Sequence, residues 1–201
     1  MTCTVITATI GRPELLRAAE SVADQTVPCT HLVIADGPVA AEAARKVLRH
    51  GPPVTTLALP WNTGAVGGYC YAVGCLLVQS DYVCFLDDDN WYEPYHVEDM
   101  VGAICSYDLD FGAAARLYWR EDMREVGFMP EDVGGHIDTS CYCLKNHVAK
   151  QVAMAWTQDD YYHDRTVARV ISGIGLKGRR SPLYTVNYTL PEGRRIGGRN
   201  E

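Results

Sequence analysis

An apolar run in the middle of the chain stops abruptly at three carboxylates. From Tyr82 to Asn90 the sequence reads Tyr-Val-Cys-Phe-Leu-Asp-Asp-Asp-Asn. Its β-branched and aromatic residues predict a buried strand, and in an open α/β sheet ligands bind just outside the carboxyl ends of the strands. One acid there would cap the following helix, but three in a row repel one another unless a positive charge is nearby. Because Mg²⁺ and Mn²⁺ prefer carboxylate and phosphate oxygens, the segment predicts a divalent metal held over a phosphorylated ligand.

The first half of the chain alternates between strand and helix patterns. Strands are predicted at residues 4–9, 31–35, 54–59 and 82–86, and helices between them at residues 14–23, 40–49 and 69–79. This alternation implies βαβ crossovers and parallel strands. The expected fold class is therefore α/β, with a mostly parallel, Rossmann-like central sheet flanked by helices.

The pattern is less regular after residue 90, where a smaller mixed part is expected. Strands are predicted at residues 111–119, 137–144 and 186–190, and helices within 91–105 and at 146–155 and 165–174. The glycine-rich stretch at 120–135 is either a mobile lid or a plain surface loop. With 201 residues and no evident linker, we expect residues 1–201 to form a single domain.

Composition and charge exclude several classes of protein. No stretch is long and apolar enough for a membrane span, and the N-terminus lacks a signal-peptide pattern, so a cytoplasmic protein is expected. The eight cysteines have no framework spacing and predict reduced, mostly buried thiols. The net charge of −7 divides into −13 for residues 1–164 and +6 for residues 165–201. The acidic body argues against broad nucleic-acid binding, whereas the basic tail suits an anionic ligand or a solvated end.

Polar residues follow three of the predicted strands. Residues Thr7-Ala8-Thr9 end the first strand, Asp36 follows the second, and Asp87-Asp88-Asp89 end the fourth. The carboxyl ends of parallel strands meet along one edge of a sheet. Hydroxyls and an acceptor for a ribose or a base, next to acids for a metal, together predict a pocket for a nucleoside diphosphate.

Four segments in this order resemble the N-terminal half of the family 2 glycosyltransferases, which have the GT-A fold. They are Val5-Ile-Thr-Ala-Thr-Ile-Gly-Arg-Pro13, Leu32-Val-Ile-Ala-Asp-Gly37, Asn62-Thr-Gly64 and Phe85-Leu-Asp-Asp-Asp-Asn90. The resemblance covers about residues 2–100 well and the rest loosely. It implies a nucleotide-sugar donor, Mn²⁺ or Mg²⁺ as the cofactor, and inversion at the anomeric carbon.

The resemblance also implies roles for individual residues in the donor half, residues 1–90. Asp87 and Asp89 take the outer positions of the family's Asp-x-Asp motif, with Asp89 as a metal ligand and Asp87 as a second ligand or its support. The donor, for which a UDP-sugar is favoured, would be bound by Thr7, Ala8, Thr9, Arg12, Asp36, Asn62, Gly64, Asp87 and Asp88.

Residues 91–201 would bind the acceptor and supply the base that inverting transfer requires. In the family this base stands before a helix that carries an arginine. Asp164 is favoured because Arg165–Ile171 looks like that helix; Asp160 is the second candidate, and Asp164 could instead be only an N-cap. Contacts to the acceptor or the transferred sugar are expected from Trp91, His136, Asp138 and Thr139. The acceptor is left open among a glycan, a small molecule and a modified nucleic acid.

Two other functions fit parts of the sequence. A sugar-phosphate nucleotidyltransferase also uses a metal on a related α/β layout, but such enzymes commonly carry a Gly-rich basic loop after the first strand. Here that loop offers only Gly11 and Arg12. A non-catalytic nucleotide-sugar-binding protein of the same fold is the second alternative. Arg194 or Arg195, in the basic tail, is a candidate to offset the charge of the leaving diphosphate.

Overall fold

The computed structural model describes residues 1–120, 136–158 and 161–190, and the backbone of residues 125–129. The strands are β1 (Cys3–Thr9), β2 (Thr30–Ala35), β3 (Thr55–Ala58), β4 (Tyr82–Asp87), β5 (Trp91–Tyr92), β6 (Phe111–Trp119), β7 (Glu125–Met129), β8 (Tyr142–Lys145) and β9 (Gly178–Thr189). The helices are α1 (Leu15–Ala23), α2 (Pro38–Val47), α3 (Gly68–Leu77), α4 (His96–Ser106), α5 (Asn146–Val152) and α6 (His163–Gly173). Short 3₁₀ helices are formed by Leu48–His50, Thr139–Cys141 and Ala153–Thr157.

The first four strands form the parallel half of one sheet, in the order β3-β2-β1-β4. Ala8 is in register with Asp87 of β4, and Thr9 with Ala35 of β2. The acidic end of β4 and the polar ends of β1 and β2 therefore lie at one edge of the sheet. This confirms the α/β arrangement that the alternating pattern predicts.

The same sheet continues through the second half of the chain with mixed strand directions. Its order continues β4-β8-β6-β9-β5, and β7 pairs with β6. The β4–β8, β6–β8, β6–β7 and β5–β9 pairs are antiparallel, and only the β6–β9 pair is parallel. The expectation of a mostly parallel sheet thus holds for the first half, and the later strands form the expected mixed part. The β4–β8 pair brings the second half of the chain directly beside the acidic strand.

An aromatic cluster joins the two halves beneath this edge. Trp156, in the last 3₁₀ helix, is fully buried, with its ring centroid 5.2 Å from Tyr71 of α3 and 4.8 Å from Phe85 of β4. Large buried aromatic side chains are among the strongest contributors to a core. The cluster therefore fixes the position of α3 and of the segment before α6 relative to β4.

Several elements differ from their predicted bounds because long-range pairing decides them. The helix expected within 91–105 is α4, which begins at His96 because Trp91 and Tyr92 pair with β9. The strand expected at 137–144 is replaced in its first part by the 3₁₀ helix Thr139–Cys141. The stretch at 120–135 contains β7, and its residues 121–124 and 130–135 lie outside the described residues.

Most of the cysteine side chains are buried free thiols. All eight cysteines are free; six are buried, Cys29 is half-buried and Cys105 is exposed. None of the helices in the described ranges has the length and apolar character that crossing a membrane requires.

The close approach of α3 to the Trp156 segment gives a test of this packing. A Cβ at Gly68 would lie 2.3 Å from the Trp156 carbonyl oxygen, whereas a Cβ at Gly102 in α4 would meet nothing within 4 Å. We expect Gly68→Ala to lower the free energy of unfolding by about 1–3 kcal/mol, since the backbones must separate. Gly102→Ala should raise it by about 0.5–1 kcal/mol through helix propensity. Urea denaturation measures both, and equal effects of the two substitutions would contradict this packing.

Candidate active site

A cleft of about 860 Å³ opens along the edge where the parallel strands end. It is bounded by the first half of the chain on one side and by residues of β6, the 136–139 segment and α6 on the other. The predicted site residues in its lining are Ala8, Thr9, Arg12, Asp36, Asn62, Gly64, Asp87, Asp88, Asp89, His136, Asp138, Thr139 and Asp164. The fold thus gathers residues from both halves of the chain, 1–90 and 91–201, into one cleft.

Two of the described site residues, Thr7 and Trp91, are not part of this lining. Thr7 is fully buried within β1, and its hydroxyl hydrogen-bonds His31 Nε2 at 2.8 Å. Trp91 packs away from the cleft against Arg17, whose guanidinium lies 3.9 Å from the ring centroid. Its β5 backbone is fixed there by pairing with β9. A direct ligand contact expected of Thr7 or Trp91 therefore has no support from their positions. Asp160 lies outside the described residues.

Asp87, at the end of β4, is held by hydrogen bonds from two other elements. The Tyr71 hydroxyl of α3 donates to Oδ1 at 2.6 Å, and the Ser140 hydroxyl donates to Oδ2 at 3.1 Å. Ser140 Oγ also accepts from the Asp87 backbone N–H, at 3.1 Å, and from Asn90 Nδ2, at 3.0 Å. This network fixes the carboxylate against rotation and ties the 136–140 segment to the acidic cluster.

Asp88 and Asp89 are bound by the turn that follows β1. The Thr9 hydroxyl donates to Asp88 Oδ2 at 2.7 Å. Arg12 Nη1 lies 2.6 Å from Asp89 Oδ2 and 3.4 Å from Asp88 Oδ1, and the Arg12 side chain is about half exposed. Arg12 is therefore the cation beside these acids, on the solvent side of the cleft.

The negative charges of Asp87, Asp88 and Asp89 are buried and only partly balanced by nearby positive charge. Burial, together with the neighbouring Asp138 and Asp89 carboxylates, raises the pKa of Asp87 to about 8. The pKa of Asp88 is raised by burial even though Thr9 and Arg12 oppose the shift, and burial likewise raises the pKa of Asp89 against the effect of Arg12. Among the described residues, the cleft lining contains six aspartates and three arginines. A cation entering this site would restore the balance that burial disturbs.

The loop Asn62–Gly64 packs against Asp36, which directly follows β2. Asp36 Oδ1 accepts from the backbone N–H and the hydroxyl of Thr63, at 2.8 and 3.0 Å. The Gly64 N–H donates to Asn62 Oδ1 at 2.8 Å. Gly37, with φ 99°, lets the loop approach so closely that a Cβ would lie 2.7 Å from the Asn62 nitrogen. The loop and Asp36 therefore form one rigid corner of the cleft.

Part of the opposite wall of the cleft is organised around the first turn of α6. His136 Nε2 lies 2.7 Å from Asp164 Oδ2, and the Tyr142 hydroxyl donates to the Asp164 carbonyl oxygen at 3.1 Å. Asp164 is the second residue of α6, whose N-cap is Tyr162. The alternative that Asp164 is only an N-cap is therefore wrong. Its carboxylate is instead paired with an imidazole at the cleft wall.

Sequence reasoning missed a buried ion pair in the same wall. Arg116 of β6 is paired with Asp138, and its guanidinium carbon lies 5.1 Å from the Tyr118 ring centroid and 4.8 Å from that of Tyr188. A single arginine within the apolar run Phe111–Trp119 is the signal that could have indicated it, since charges are seldom buried unpaired. Tyr71 and Ser140 carried no comparable signal, because only the fold brings them to Asp87.

The raised pKa of Asp87 predicts a pH dependence of stability. Between about pH 4 and pH 8, Asp87 is protonated in the folded chain but ionised in the unfolded chain, whose carboxyl has its ordinary pKa of 3.8. The folded state then binds more protons, so stability contributed through this group falls as pH rises through that range. We expect the stability of Asp87→Asn relative to the wild type to increase from pH 4 to pH 8 in EDTA, measured by urea denaturation. Asp24→Asn, at the exposed end of α1, is the matched control, and a pH-independent difference for Asp87→Asn would contradict the shift.

Structural comparison finds the same fold in proteins of distant sequence. S. aureus TarS 1–349 in complex with UDP superposes with a TM-score of 0.71 at 14% identity, covering 94% of this chain and 61% of that one. The same protein in complex with UDP-GlcNAc gives 0.71 at 15% identity, covering 96% and 60%. The mannosyltransferase PcManGT from Pyrobaculum calidifontis, in complex with GDP-Man and Mn²⁺, gives 0.69 at 11% identity, covering 95% and 57%. These similarities establish the GT-A fold.

Sequence comparison gives the family. An uncharacterized protein of Haemophilus influenzae is 30% identical over a region covering 38% of this chain and 60% of the relative. The chain thus spans about 60% of the length of the relatives that it matches. The model of the family described as Glycosyl transferase family 2 matches residues 3–171, which include all of the described cleft residues except Tyr188 and Leu190. The chain belongs to glycosyl transferase family 2.

Proposed function

We propose that this protein is a metal-dependent, inverting glycosyltransferase that moves a sugar from a nucleoside-diphosphate donor to an acceptor hydroxyl. The observation that carries the proposal is the acidic triplet Asp87–Asp89 at the C-terminal end of β4, facing a cleft with Asp36 and Asp164. Membership of the family supports the reaction class, and the cleft supplies the groups that such a reaction needs.

The donor half is suited to a nucleotide. Asp36 presents an acceptor, fixed by Thr63, at the end of β2, where a ribose hydroxyl or a base N–H can donate to it. Gly67, with φ 86°, passes so close to β1 that a Cβ would lie 2.8 Å from that of Ala8, so backbone rather than side chain lines this part of the cleft. A UDP-sugar is the favoured donor: one structural neighbour was solved with UDP and with UDP-GlcNAc, although another was solved with GDP-Man.

The acidic cluster fits Mn²⁺ or Mg²⁺. Asp87 and Asp89 would hold the ion, since their oxygens are hard ligands and burial raises both pKa values. Within the described ranges no three His, Cys, Asp or Glu side chains form a complete metal site. Such a pair of carboxylates suits an ion whose remaining positions are filled by phosphate and water. When bound, the ion offsets charge on the leaving diphosphate. Arg194 and Arg195, the other candidates for that task, lie outside the described residues.

The acceptor half would supply binding and the base. Inversion by a single displacement requires a proton acceptor on the face of the sugar opposite the diphosphate. Asp164, which lines the same cleft as the acidic cluster and contacts His136, is the carboxylate that we propose for this role. Asp138 and Thr139 line the same cleft and are candidates to hydrogen-bond the sugar. The acceptor stays open among a glycan, a small molecule and a modified nucleic acid.

The two other functions remain distinguishable by product. A nucleotidyltransferase would release pyrophosphate from a sugar 1-phosphate and a nucleoside triphosphate, and a binding protein would hold the donor without turnover. The family match and the Arg12 contact to Asp88 and Asp89, in place of a basic phosphate loop, favour the glycosyltransferase.

We expect nucleotide binding to depend on the metal. Calorimetry with UDP, GDP, CMP and dTDP, each with Mn²⁺ and with EDTA, should find one nucleotide whose affinity rises roughly tenfold or more, or at least 1.4 kcal/mol, with Mn²⁺. Asp89→Asn should abolish that increase because it removes a charged ligand, whereas Asp24→Asn should keep it. An unchanged metal effect in Asp89→Asn would contradict the metal role.

We expect Asp164→Asn to slow turnover with little change in donor affinity. Loss of general-base function typically costs about 10²- to 10⁴-fold in rate. Turnover is measured as release of UDP or GDP from UDP-GlcNAc or GDP-mannose, with water as the acceptor if no other is known. A rate within a factor of a few of the wild type, in a folded variant, would remove Asp164 from the mechanism.

A further inference from the structure

We propose that Arg17, in the first turn of α1, is a positioning residue for the metal-binding carboxylate of Asp89 and acts on it from outside the cleft. This inference rests on the proposed function, in which Asp89 binds the divalent ion, and deepens it by naming what fixes Asp89 in place. It follows from the contacts of the Asp89 carbonyl oxygen and from the stacking of Arg17 on Trp91.

Asp89 has contacts on two sides. Its carboxylate lines the cleft, where Arg12 Nη1 lies 2.6 Å from Oδ2. Its backbone carbonyl oxygen accepts from Arg17 Nη2 at 2.8 Å and from the Thr189 hydroxyl. Neither Arg17 nor Thr189 belongs to the described lining of the cleft. Asp89 is therefore held through its main chain from outside the cleft, while its side chain faces the cleft.

The same contacts connect the end of β9 to the turn after β4. Arg17 Nη2 donates to Thr189 Oγ1 at 3.0 Å as well as to Asp89. The backbone N–H of Thr189 donates to Asn90 Oδ1 at 2.9 Å, and Asn90 Nδ2 lies 3.3 Å from Asp87 Oδ2. Hydrogen bonds from a charged donor are roughly twice as strong as those between neutral groups. We therefore expect the Arg17 bond to contribute most to the position of the Asp89 main chain.

Stacking on Trp91 fixes the plane of the guanidinium. Its central carbon lies 3.9 Å from the Trp91 ring centroid, which is the geometry of a cation–π pair. A guanidinium stacked by its face keeps its N–H groups in the plane, where they can bond the Asp89 carbonyl. Trp91 is itself fixed by pairing with Asn187 of β9 and by the ring of Trp119, whose centroid is 5.6 Å away. Trp91 therefore acts on the site through Arg17 rather than by touching a sugar.

Two arginines flank Asp89 and contact different parts of it. Arg12 contacts the carboxylate from the solvent side, and Arg17 contacts the main chain. Burial lowers the pKa of Arg17, and the negative charges of Glu14 and Asp89 oppose that shift. An arginine stays protonated at neutral pH in such surroundings. Loss of Arg17 thus removes both a hydrogen bond and a positive charge from the region of Asp89.

These two losses have opposite effects on metal binding. A divalent cation at Asp89 is repelled by a nearby guanidinium, so removal of the charge alone would raise metal affinity. Loss of the hydrogen bond lets the Asp89 main chain shift, and loss of a group that orients a metal ligand typically lowers metal affinity about 10- to 100-fold. The sign of the change in Arg17→Met therefore distinguishes positioning from simple electrostatics.

Metal affinity is measured without turnover in the full chain. Mn²⁺ is titrated in the presence of saturating UDP or GDP, whichever the protein binds, and the electron paramagnetic resonance signal of free Mn²⁺ gives the Kd. We expect Arg17→Met to raise this Kd roughly tenfold. Arg17→Lys should recover part of the loss, because an ammonium can still donate to the Asp89 carbonyl but lacks the planar fork.

Thr189→Val tests the same carbonyl without a change of charge. It removes the hydroxyl that donates to Asp89 and accepts from Arg17. Because one hydrogen bond to the carbonyl is lost while the Arg17 bond remains, we expect the Mn²⁺ Kd to rise about two- to tenfold. The variant also decides the question if Arg17→Met does not fold.

Two control variants separate positioning from general effects. Arg45→Met removes an exposed arginine of α2 that pairs with Glu42, and it controls for the loss of an arginine. Val148→Ala truncates a fully buried side chain of α5, and it controls for lower stability. Both should keep the wild-type Kd for Mn²⁺, since neither residue belongs to the described cleft lining.

Kinetics with UDP-GlcNAc or GDP-mannose, whichever the enzyme turns over, give a second readout. In Arg17→Met the Mn²⁺ concentration for half-maximal rate should rise in parallel with the Kd, while kcat at saturating Mn²⁺ stays within a factor of a few of the wild type. A variant that has only lost stability would have fewer active molecules, and its Mn²⁺ dependence would be that of the wild type.

The outcomes separate this proposal from the proposed function. A Kd for Mn²⁺ at or below the wild-type value in folded Arg17→Met overturns the positioning role, and so do equal losses of affinity in Arg17→Met and Arg45→Met. If Arg17→Met does not fold, an unchanged Kd in Thr189→Val overturns it. If the wild type binds no Mn²⁺ with either nucleotide, the metal role in the proposed function fails, and the role of Arg17 fails with it. A raised Kd in Arg17→Met with both controls unchanged supports the proposal.

Discussion

The site depends on the antiparallel pairing of β8 with β4, which the Ser140–Asp87 hydrogen bonds extend beyond the last ladder residues. β4 delivers three carboxylates to the edge of the sheet, and β8 is preceded by the segment that carries His136, Asp138 and Thr139. Because Ser140 bonds both the backbone and the carboxylate of Asp87, the two halves of the cleft are fixed to each other at the acidic cluster itself. The two walls of the cleft are then held in one geometry, which can position groups on both sides of a bound ligand.

The cleft contains buried carboxylates whose negative charge is only partly compensated, and a bound cation would stabilise them. Burial raises the pKa of all three acids of the triplet, and Arg12, on the solvent side, only partly offsets it. The opposite wall contains its own buried pair, Arg116 with Asp138, enclosed by two tyrosine rings. Preorganised charges in a site of this kind are the usual source of transition-state stabilisation. The contact between His136 and Asp164 lies in the lining of the same cleft.

Much of the donor half could be predicted because its elements are formed by local sequence. The strand ending in Asp87 is an apolar run followed by acids, and its parallel neighbours follow from βαβ alternation. The acceptor half could not be predicted in the same detail. The sequence predicts a sugar contact for Trp91, which follows the acidic triplet. Pairing of β5 with β9, nearly a hundred residues later in the chain, instead places Trp91 against Arg17. Thr7 looked like a pocket hydroxyl, but its partner is the buried His31.

The sequence by itself determined the fold class, the acidic triplet and the family, because strand alternation and a cluster of like charges are local patterns with few structural solutions. Only the tertiary structure decided which groups meet. It brought Tyr71 and Ser140 to Asp87, Arg116 to Asp138, and His136 to Asp164. These partners lie 16 to 53 residues apart in the chain. Contacts at such separations depend on sheet order and register, which no single segment of the sequence encodes.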